Sequence, residues 1–336
     1  MTPARVYDYA DISAPAKQSA SCRDLISVQD FSPDEISALL ALTQSVKDRP
    51  ASYRRALLGK QLVLFFEKAS LRTRITFEAG MASLGGTSIF VDQTQSRLHE
   101  REPLCDVAHN VERWVDAVVL RTFEHETIVE MARYSAIPVI NALSDLEHPC
   151  QAFADFFTLQ EKFGDLRNIH LAYIGDGNNM AHSLMLAAAS LGSKMTLACP
   201  TGYLPHPEIT DAALAIAART GAEISIMQDP VAAVTGADAV YTDVWASMGQ
   251  EDEAAERATI FAPYQVNQQL FAHAPGAIFM HCLPAHRGME VTADVLDSSR
   301  SIAFDQAENR LHVQKAILLT LLGGDARRGP SRSHHA

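Results

Sequence analysis

The stretch Glu67-Lys-Ala-Ser-Leu-Arg-Thr-Arg-Ile-Thr-Phe-Glu78 gathers hydroxyls and guanidiniums within a few residues. Ser70 and Thr73 supply the hydroxyls. Arg72 and Arg74 supply permanent cations able to fork onto an oxyanion. The apolar run Leu62-Val-Leu-Phe-Phe66 before it reads as a buried parallel strand, and Ile75, Phe77, Met81 and Leu84 after it as one apolar side of a helix. Ser70 then sits at an N-cap, where the first backbone N–H groups point outward and the helix dipole favours negative charge. The chemistry this predicts is capture of a phosphate or carboxylate. A capped helix with two solvated arginines fits the same residues, so the stretch alone leaves both readings open.

Other groups stand at similar places. Arg72, Arg74, Arg121 and Arg310 fall at expected strand ends or helix starts, and several converging would make a phosphate clamp. His148 and Gln151 lie three residues apart at the start of a helix and together can polarise a carbonyl group. Asp243, at a strand end, suits a cationic amine or a turn, and Ser247-Met248-Gly249 offers backbone and hydroxyl groups. Cys282 precedes Leu283-Pro284 and is open to three readings: nucleophile, substrate contact or buried thiol. His281 is either a base or structural. Gly175-Asp-Gly-Asn-Asn-Met180 starts like a dinucleotide-binding turn, but Met180 replaces the third glycine. The next strand ends in Cys199-Pro200 rather than an acid, which argues against a nicotinamide cofactor. Its asparagines can present amides to a polar ligand or hold a left-handed turn.

Positioning these groups requires two successive α/β units. Ser32-Pro33-Asp-Glu35 opens a first helix with a capping box, and Ile36, Leu39, Leu40 and Val46 face inward. Strands are expected at 62–66, 87–91, 117–120 and 138–141, with helices at 104–114 and 126–134. A helix from Leu146 to about Phe163 joins the units. Strands at 169–174, 194–199, 223–226, 239–242 and 278–280 follow, with a helix at 207–219 and a last one from about Ala307 to Leu322 carrying Arg310 near its start. The fold class is α/β: two doubly wound parallel-sheet domains joined by interdomain helices, residues 1–147 and 148–307. Helix 308–323 packs back on the first, and 324–336 form a disordered tail. Gln250 to Arg257 reads as a solvated, mobile acidic run, and residues 1–21 as a mobile extension.

Composition bounds the function. A chain of 336 residues, 47% hydrophobic and 20% charged, suggests two globular domains with large cores. A net charge of −12 argues against a general nucleic-acid binder, while a local basic site for a small anion remains compatible with it. No apolar stretch reaches membrane-spanning length, and Met1 to Cys22 lacks the apolar core of a secretory signal. The five cysteines are scattered without CxxC or Cys/His ligand spacing, pointing to free thiols and a reducing cytoplasm.

In order along the chain, Ser70-Leu-Arg-Thr-Arg74, Arg121-Thr-Phe, His148-Pro-Cys-Gln151, Asp176-Gly-Asn-Asn179, Asp243-Val-Trp-Ala-Ser-Met-Gly249, His281-Cys-Leu-Pro284 and Glu308-Asn-Arg310 resemble the aspartate/ornithine carbamoyltransferase family, from about Arg23 to Gly323. Asp243 with Ser247-Met248-Gly249 looks like the ornithine branch. The resemblance implies that Ser70, Leu71 (through its backbone), Arg72, Thr73 and Arg121 hold the phosphate of carbamoyl phosphate. His148 and Gln151 would hold its carbamoyl group, with Cys282, Leu283 and Arg310 completing the pocket. Asn179, Asp243, Ser247 and Met248 would contact ornithine. Arg72, His148, Asp243 and Cys282 are its implied catalytic residues, and Asp243, Cys282 or the leaving phosphate could take the amine proton. No metal or organic cofactor is required, and a homotrimer is implied. The chain departs from the family in the 92–103 loop, where Arg97 replaces a glutamine that reaches a neighbouring subunit; Gln95 stands two residues away. Other acceptors (aspartate, putrescine, an acylated ornithine), a nicotinamide dehydrogenase and a non-catalytic ligand binder are the competing readings.

Overall fold

The alternating strand and helix patterns build two separate parallel sheets, one of four strands and one of five. The computed structural model describes residues 23–94, 97–98, 100–246 and 253–323. The N-terminal extension, the tail from residue 324, and Gln95, His99, Ser247 and Met248 lie outside the described residues.

After helix α1 (Pro33–Asp48) come β1 (Gln61–Phe66), α2 (Leu71–Ser83), β2 (Thr87–Asp92), α3 (Leu104–Val111), β3 (Ala117–Arg121), α4 (His125–Tyr134) and β4 (Val139–Leu143). These strands lie side by side in the order β2-β1-β3-β4. Helix α5 (Pro149–Phe163) leads to β5 (His170–Ile174), α6 (Asn179–Leu191), β6 (Lys194–Ala198), α7 (Pro207–Thr220), β7 (Glu223–Met227), α8 (Pro230–Val234), β8 (Ala239–Thr242), α9 (Ala254–Phe261), α10 (Gln268–Phe271), β9 (Ile278–His281), α11 (Ala293–Leu296) and α12 (Ala303–Leu322). Their order is β7-β6-β5-β8-β9. Each order reverses once, between β1 and β3 and between β5 and β8. At such reversals, loops leave the strand ends in opposite directions and open a crevice.

The sequence reasons for these elements are local. Ser32 and Glu35 form the reciprocal cap of α1, and Ile36, Leu39, Leu40 and Val46 are buried. Strands β1 and β3 are apolar and buried along nearly their whole length, as central strands of a parallel sheet must be. On α5, Phe153, Phe156 and Phe157 are fully buried, each worth roughly 2–3 kcal/mol of hydrophobic stabilisation. Helix α12 packs against α1, α2 and α5, which carries Arg310 back from the end of the chain to the first sheet.

Four expectations need correction. Ile75 is 52% exposed. It lies roughly 200° around the helix from Phe77, so it cannot share the face formed by Thr73, Phe77, Gly80 and Met81. Helix α5 starts at Pro149 rather than Leu146. Proline disfavours helical backbone at the preceding residue, and His148 has φ −136° and ψ 66°. Helix α12 starts at Ala303, so Arg310 lies about two turns inside it. Residues 254–257 of the acidic run open α9, and Arg257 is buried against Asp176 at 2.7 Å.

Glu147 ties the two halves together. Its buried Oε2 accepts from Val28 N at 3.1 Å and from Ser183 Oγ at 3.1 Å, and Ser183 Oγ in turn accepts from His148 N at 2.8 Å. Burial pushes this carboxyl up to about 7. The folded protein therefore keeps a proton that the unfolded chain gives up near 4.5, and the stability gained is lost as pH rises through 7. Replacing Glu147 with Gln removes that loss, worth up to about 3 kcal/mol. The expected result is a melting temperature that improves relative to wild type between pH 5 and pH 8. Parallel pH profiles would contradict the buried-carboxyl assignment.

Candidate functional site

A cavity of about 510 Å³ is lined from the C-terminal ends of both sheets. Both strand-order reversals contribute. Arg72 follows β1 and Arg121 ends β3, with Phe66 and Arg121 in register on neighbouring strands. Asn179 follows β5 and Asp243 follows β8. Cys282 follows β9, where His281 pairs with Thr242, so Asp243 and Cys282 emerge side by side.

The cationic wall is built on the start of α2. Ser70 caps the helix by accepting from Thr73 N at 3.3 Å, which leaves the N–H groups of Leu71 and Arg72 without helical partners at a cavity their residues line. The Arg121 side chain is buried and, among the described residues, has no hydrogen-bond or ion-pair partner; its Nε is enclosed and unpaired. Arg310 is also buried. Its Nη2 donates to Thr73 Oγ1 at 2.6 Å and its Nη1 to Gln151 Oε1 at 2.8 Å, so its two partners are neutral and its Nε is unpaired. Burial, reinforced by the neighbouring Arg310 and Arg72, draws the Arg121 guanidinium down to about 9. Burial does the same in direction for Arg72, and for Arg310 with Arg72 adding to it. Three guanidiniums thus converge without a paired carboxylate, a costly arrangement that an oxyanion relieves.

His148 and Gln151 border this wall. His148 is buried with Nδ1 unpaired, and burial, then Arg310 and Arg121, hold its pKa well below the usual histidine range. The ring is neutral at physiological pH, so it can donate one N–H to a carbonyl oxygen without adding charge. Lys68 also lines the cavity, 4.7 Å from the centroid of the Phe123 ring; the sequence reading gave it no role.

The opposite wall is acidic. Asp243 Oδ1 accepts from Val244 N at 2.8 Å and from Cys282 Sγ at 3.0 Å, and Oδ2 from Asn178 Nδ2 at 3.0 Å. Burial, then Asp243, push the Cys282 thiol well above its usual range, which disfavours the nucleophile reading. Iodoacetamide at pH 7.5 is expected to alkylate Cys282 more slowly than a solvent-exposed thiol, measured by peptide mass spectrometry. Faster labelling would mean that a thiolate is present. His281 is fully buried: Nδ1 accepts from Leu283 N at 2.8 Å and Nε2 meets Glu290 Oε1 at 3.1 Å. It is structural, not a base. Potential ligand atoms of Asp243, His281 and Cys282 lie within 4.8 Å of one another, but both imidazole nitrogens are already engaged.

Of the four arginines at element ends, Arg74 is not brought into this cavity. It stacks 3.8 Å from the Phe90 ring centroid and pairs with Glu78 at 3.3 Å. Arg97 pairs with Glu124 at 2.9 Å on the same chain. Neither asparagine is left-handed. Asn178 caps α6 with φ −86°, and its amide faces Asp243, while Asn179 lines the cavity and donates to Ser144 O at 2.6 Å. The sequence reading missed Asn178 as the partner of Asp243, though an Asn capping a helix beside a strand-end acid was a usable signal.

Fold and site together define an α/β protein of two parallel sheets, with an anion cradle on one side of a cleft and an acidic pocket on the other. The carbamoyl-P binding domain of aspartate/ornithine carbamoyltransferases matches residues 23–161, and the Asp/Orn binding domain matches 167–321. Ornithine carbamoyltransferase of Thermococcus kodakarensis is 47% identical over 309 residues, 91% of this chain and 98% of the relative. That of Bacillus subtilis is 48% identical over 301 residues, 89% and 94%. The solved ornithine carbamoyltransferase of Pyrococcus furiosus superposes with a TM-score of 0.88 at 47% identity, covering 91% of this chain and 99% of that one. The chain belongs to the aspartate/ornithine carbamoyltransferase family.

Proposed function

We propose that this protein transfers the carbamoyl group of carbamoyl phosphate to the δ-amine of L-ornithine, giving L-citrulline and phosphate in arginine biosynthesis. The observation that carries the reading is the convergence of Arg72, Arg121 and Arg310 on one cavity wall, unbalanced by any paired carboxylate among the described residues, opposite Asp243. The phosphate sits against the start of α2, held by Ser70, the Leu71 and Arg72 backbone, Thr73 and Arg121. The carbamoyl group lies between His148 and Gln151, beside Cys282, Leu283 and Arg310. Asn179 and Asp243 face ornithine, and the family resemblance alone assigns Ser247 and Met248, outside the described residues, to the same substrate.

The neutral δ-amine attacks the carbamoyl carbon, forming the C–N bond. Collapse of the adduct breaks the C–O bond to phosphate. Charge developing on the carbonyl oxygen meets the His148 N–H and Arg310, and the leaving phosphate meets Arg72 and Arg121. Asp243 anchors the cationic end of the acceptor. Cys282 acts as a neutral thiol that orients Asp243, and the amine proton passes to the departing phosphate. Holding both substrates across the cleft replaces a bimolecular encounter with an oriented one.

Among the described residues no helix is long and apolar enough to cross a membrane. The scattered cysteines support a cytoplasmic location, and the four described ones are free thiols. Leu71, Ile75 and Ile89, left exposed by α2 and edge strand β2, support assembly into a homotrimer. Phosphorus NMR on purified protein tests the reaction: carbamoyl phosphate is expected to yield phosphate faster than its spontaneous decay only when ornithine is present, with one citrulline per phosphate. Ornithine-independent turnover would overturn the reading.

A further inference from the structure

Asp155 lies one turn along α5 from Gln151, is fully buried and does not line the cavity. It collects three donors. Oδ1 accepts from Gln151 Nε2 at 2.8 Å and from Gln306 Nε2 at 2.8 Å, and Oδ2 from Tyr241 Oη at 3.0 Å. Gln306 Oε1 in turn accepts from His281 N at 2.9 Å, just before Cys282.

The polarity of the Gln151 amide follows from its two neighbours. Arg310 has only donors, so it must face the amide oxygen. Asp155 Oδ1 already receives a donor from Gln306, so it must face the amide nitrogen. Flipping Gln151 would set donor against donor and acceptor against acceptor. Protonation of Asp155 does not alter this, because the proton can sit on Oδ2 toward Tyr241 and leave Oδ1 as acceptor. One Nε2 N–H is therefore committed to Asp155, which does not line the cavity, and the amide oxygen is held on the Arg310 side. Arg310 occupies one lone pair of Oε1, and the second remains for a ligand.

We propose that Asp155 is the positioning residue that sets donor specificity: by fixing the Gln151 amide it presents an acceptor to the cavity, selecting an acyl phosphate whose acyl group carries N–H. This rests on the reading of Gln151 as a holder of the carbamoyl group. The matched probe is acetyl phosphate, which has a methyl group where carbamoyl phosphate has an amino group. A site built to accept a hydrogen bond rejects the analogue that cannot donate one.

The test compares the KM for carbamoyl phosphate with the competitive Ki of acetyl phosphate in wild type, Asp155→Ala, Asp155→Ser and Asp155→Asn. Asp155→Ser leaves a hydroxyl and room for water, the milder change. Asp155→Asn keeps the shape and can offer the same acceptor. The expected result is a ratio of the acetyl phosphate Ki to the carbamoyl phosphate KM that falls about tenfold or more in the Ala and Ser variants because the KM rises, with the Ki of acetyl phosphate within about threefold of wild type. Asp155→Asn should restore discrimination to within about threefold. Parallel weakening of both ligands would overturn the proposal, as would loss of discrimination in Asp155→Asn. Failure of both Ala and Ser variants to fold would assign Asp155 to stability and overturn it as well. If wild type makes no citrulline, the parent reading has failed; if it does and the ratio stays fixed, only this inference has.

Discussion

Arg72→Ala is expected to lower kcat/KM for carbamoyl phosphate by at least about 10³-fold, roughly 4 kcal/mol of lost transition-state stabilisation. Its guanidinium lines the cavity and, among the described residues, makes no hydrogen bond or ion pair that would give it a structural role. It lies close enough to Arg121 and Arg310 to lower the pKa of each. Removing it therefore relieves repulsion in the ligand-free protein, and the melting temperature should hold or rise. Carbamoyl phosphate should also stabilise the variant less than wild type. Activity within tenfold of wild type would contradict the clamp, and a cooperative loss of fold would make Arg72 structural.

Asp243→Asn should act on the other substrate. The substitution keeps the side chain's shape and one acceptor, which the Val244 N–H and the Cys282 thiol can share, while the Asn178 amide loses its own. The negative charge is lost. The expected effect is about a 10²-fold fall in kcat/KM for ornithine, roughly 3 kcal/mol, with the KM for carbamoyl phosphate within about threefold of wild type. Stabilisation by carbamoyl phosphate alone should be unchanged. Equal losses for both substrates would show that Asp243 organises the whole cavity and does not anchor the amine.

The sequence made strand ends legible because parallel strands are buried on both faces and read as continuous apolar runs. Phe66, Arg121, Thr242 and His281 therefore marked where the chemistry would emerge. Ser70 was legible because N-caps need a short side-chain acceptor. Burial inside helices was harder to read. Asp155 looks like any polar residue on α5 until α12 and β8 deliver Gln306 and Tyr241 to it from more than eighty residues away. Arg257 sits in an acidic run that reads as solvated, and partners distant in sequence, Asp176 and the Tyr203 ring, bury it together with the Trp245 carbonyl. Ile75 was misplaced by counting apolar residues without their angular spacing. Arg74 and Arg72 are two residues apart on one helix and therefore point to different sides, a distinction the spacing already contained.

The central claim is that a cationic cradle opposite Asp243 makes this cavity a carbamoyl-transfer site for free ornithine. Initial rates of carbamoyl transfer at fixed carbamoyl phosphate, with ornithine, putrescine, acetylornithine and aspartate as acceptors, test it most directly. Ornithine should exceed each of the others by at least about tenfold in kcat/KM, with product formed one-to-one with phosphate. No turnover with ornithine, or a higher kcat/KM with aspartate or acetylornithine, would contradict it.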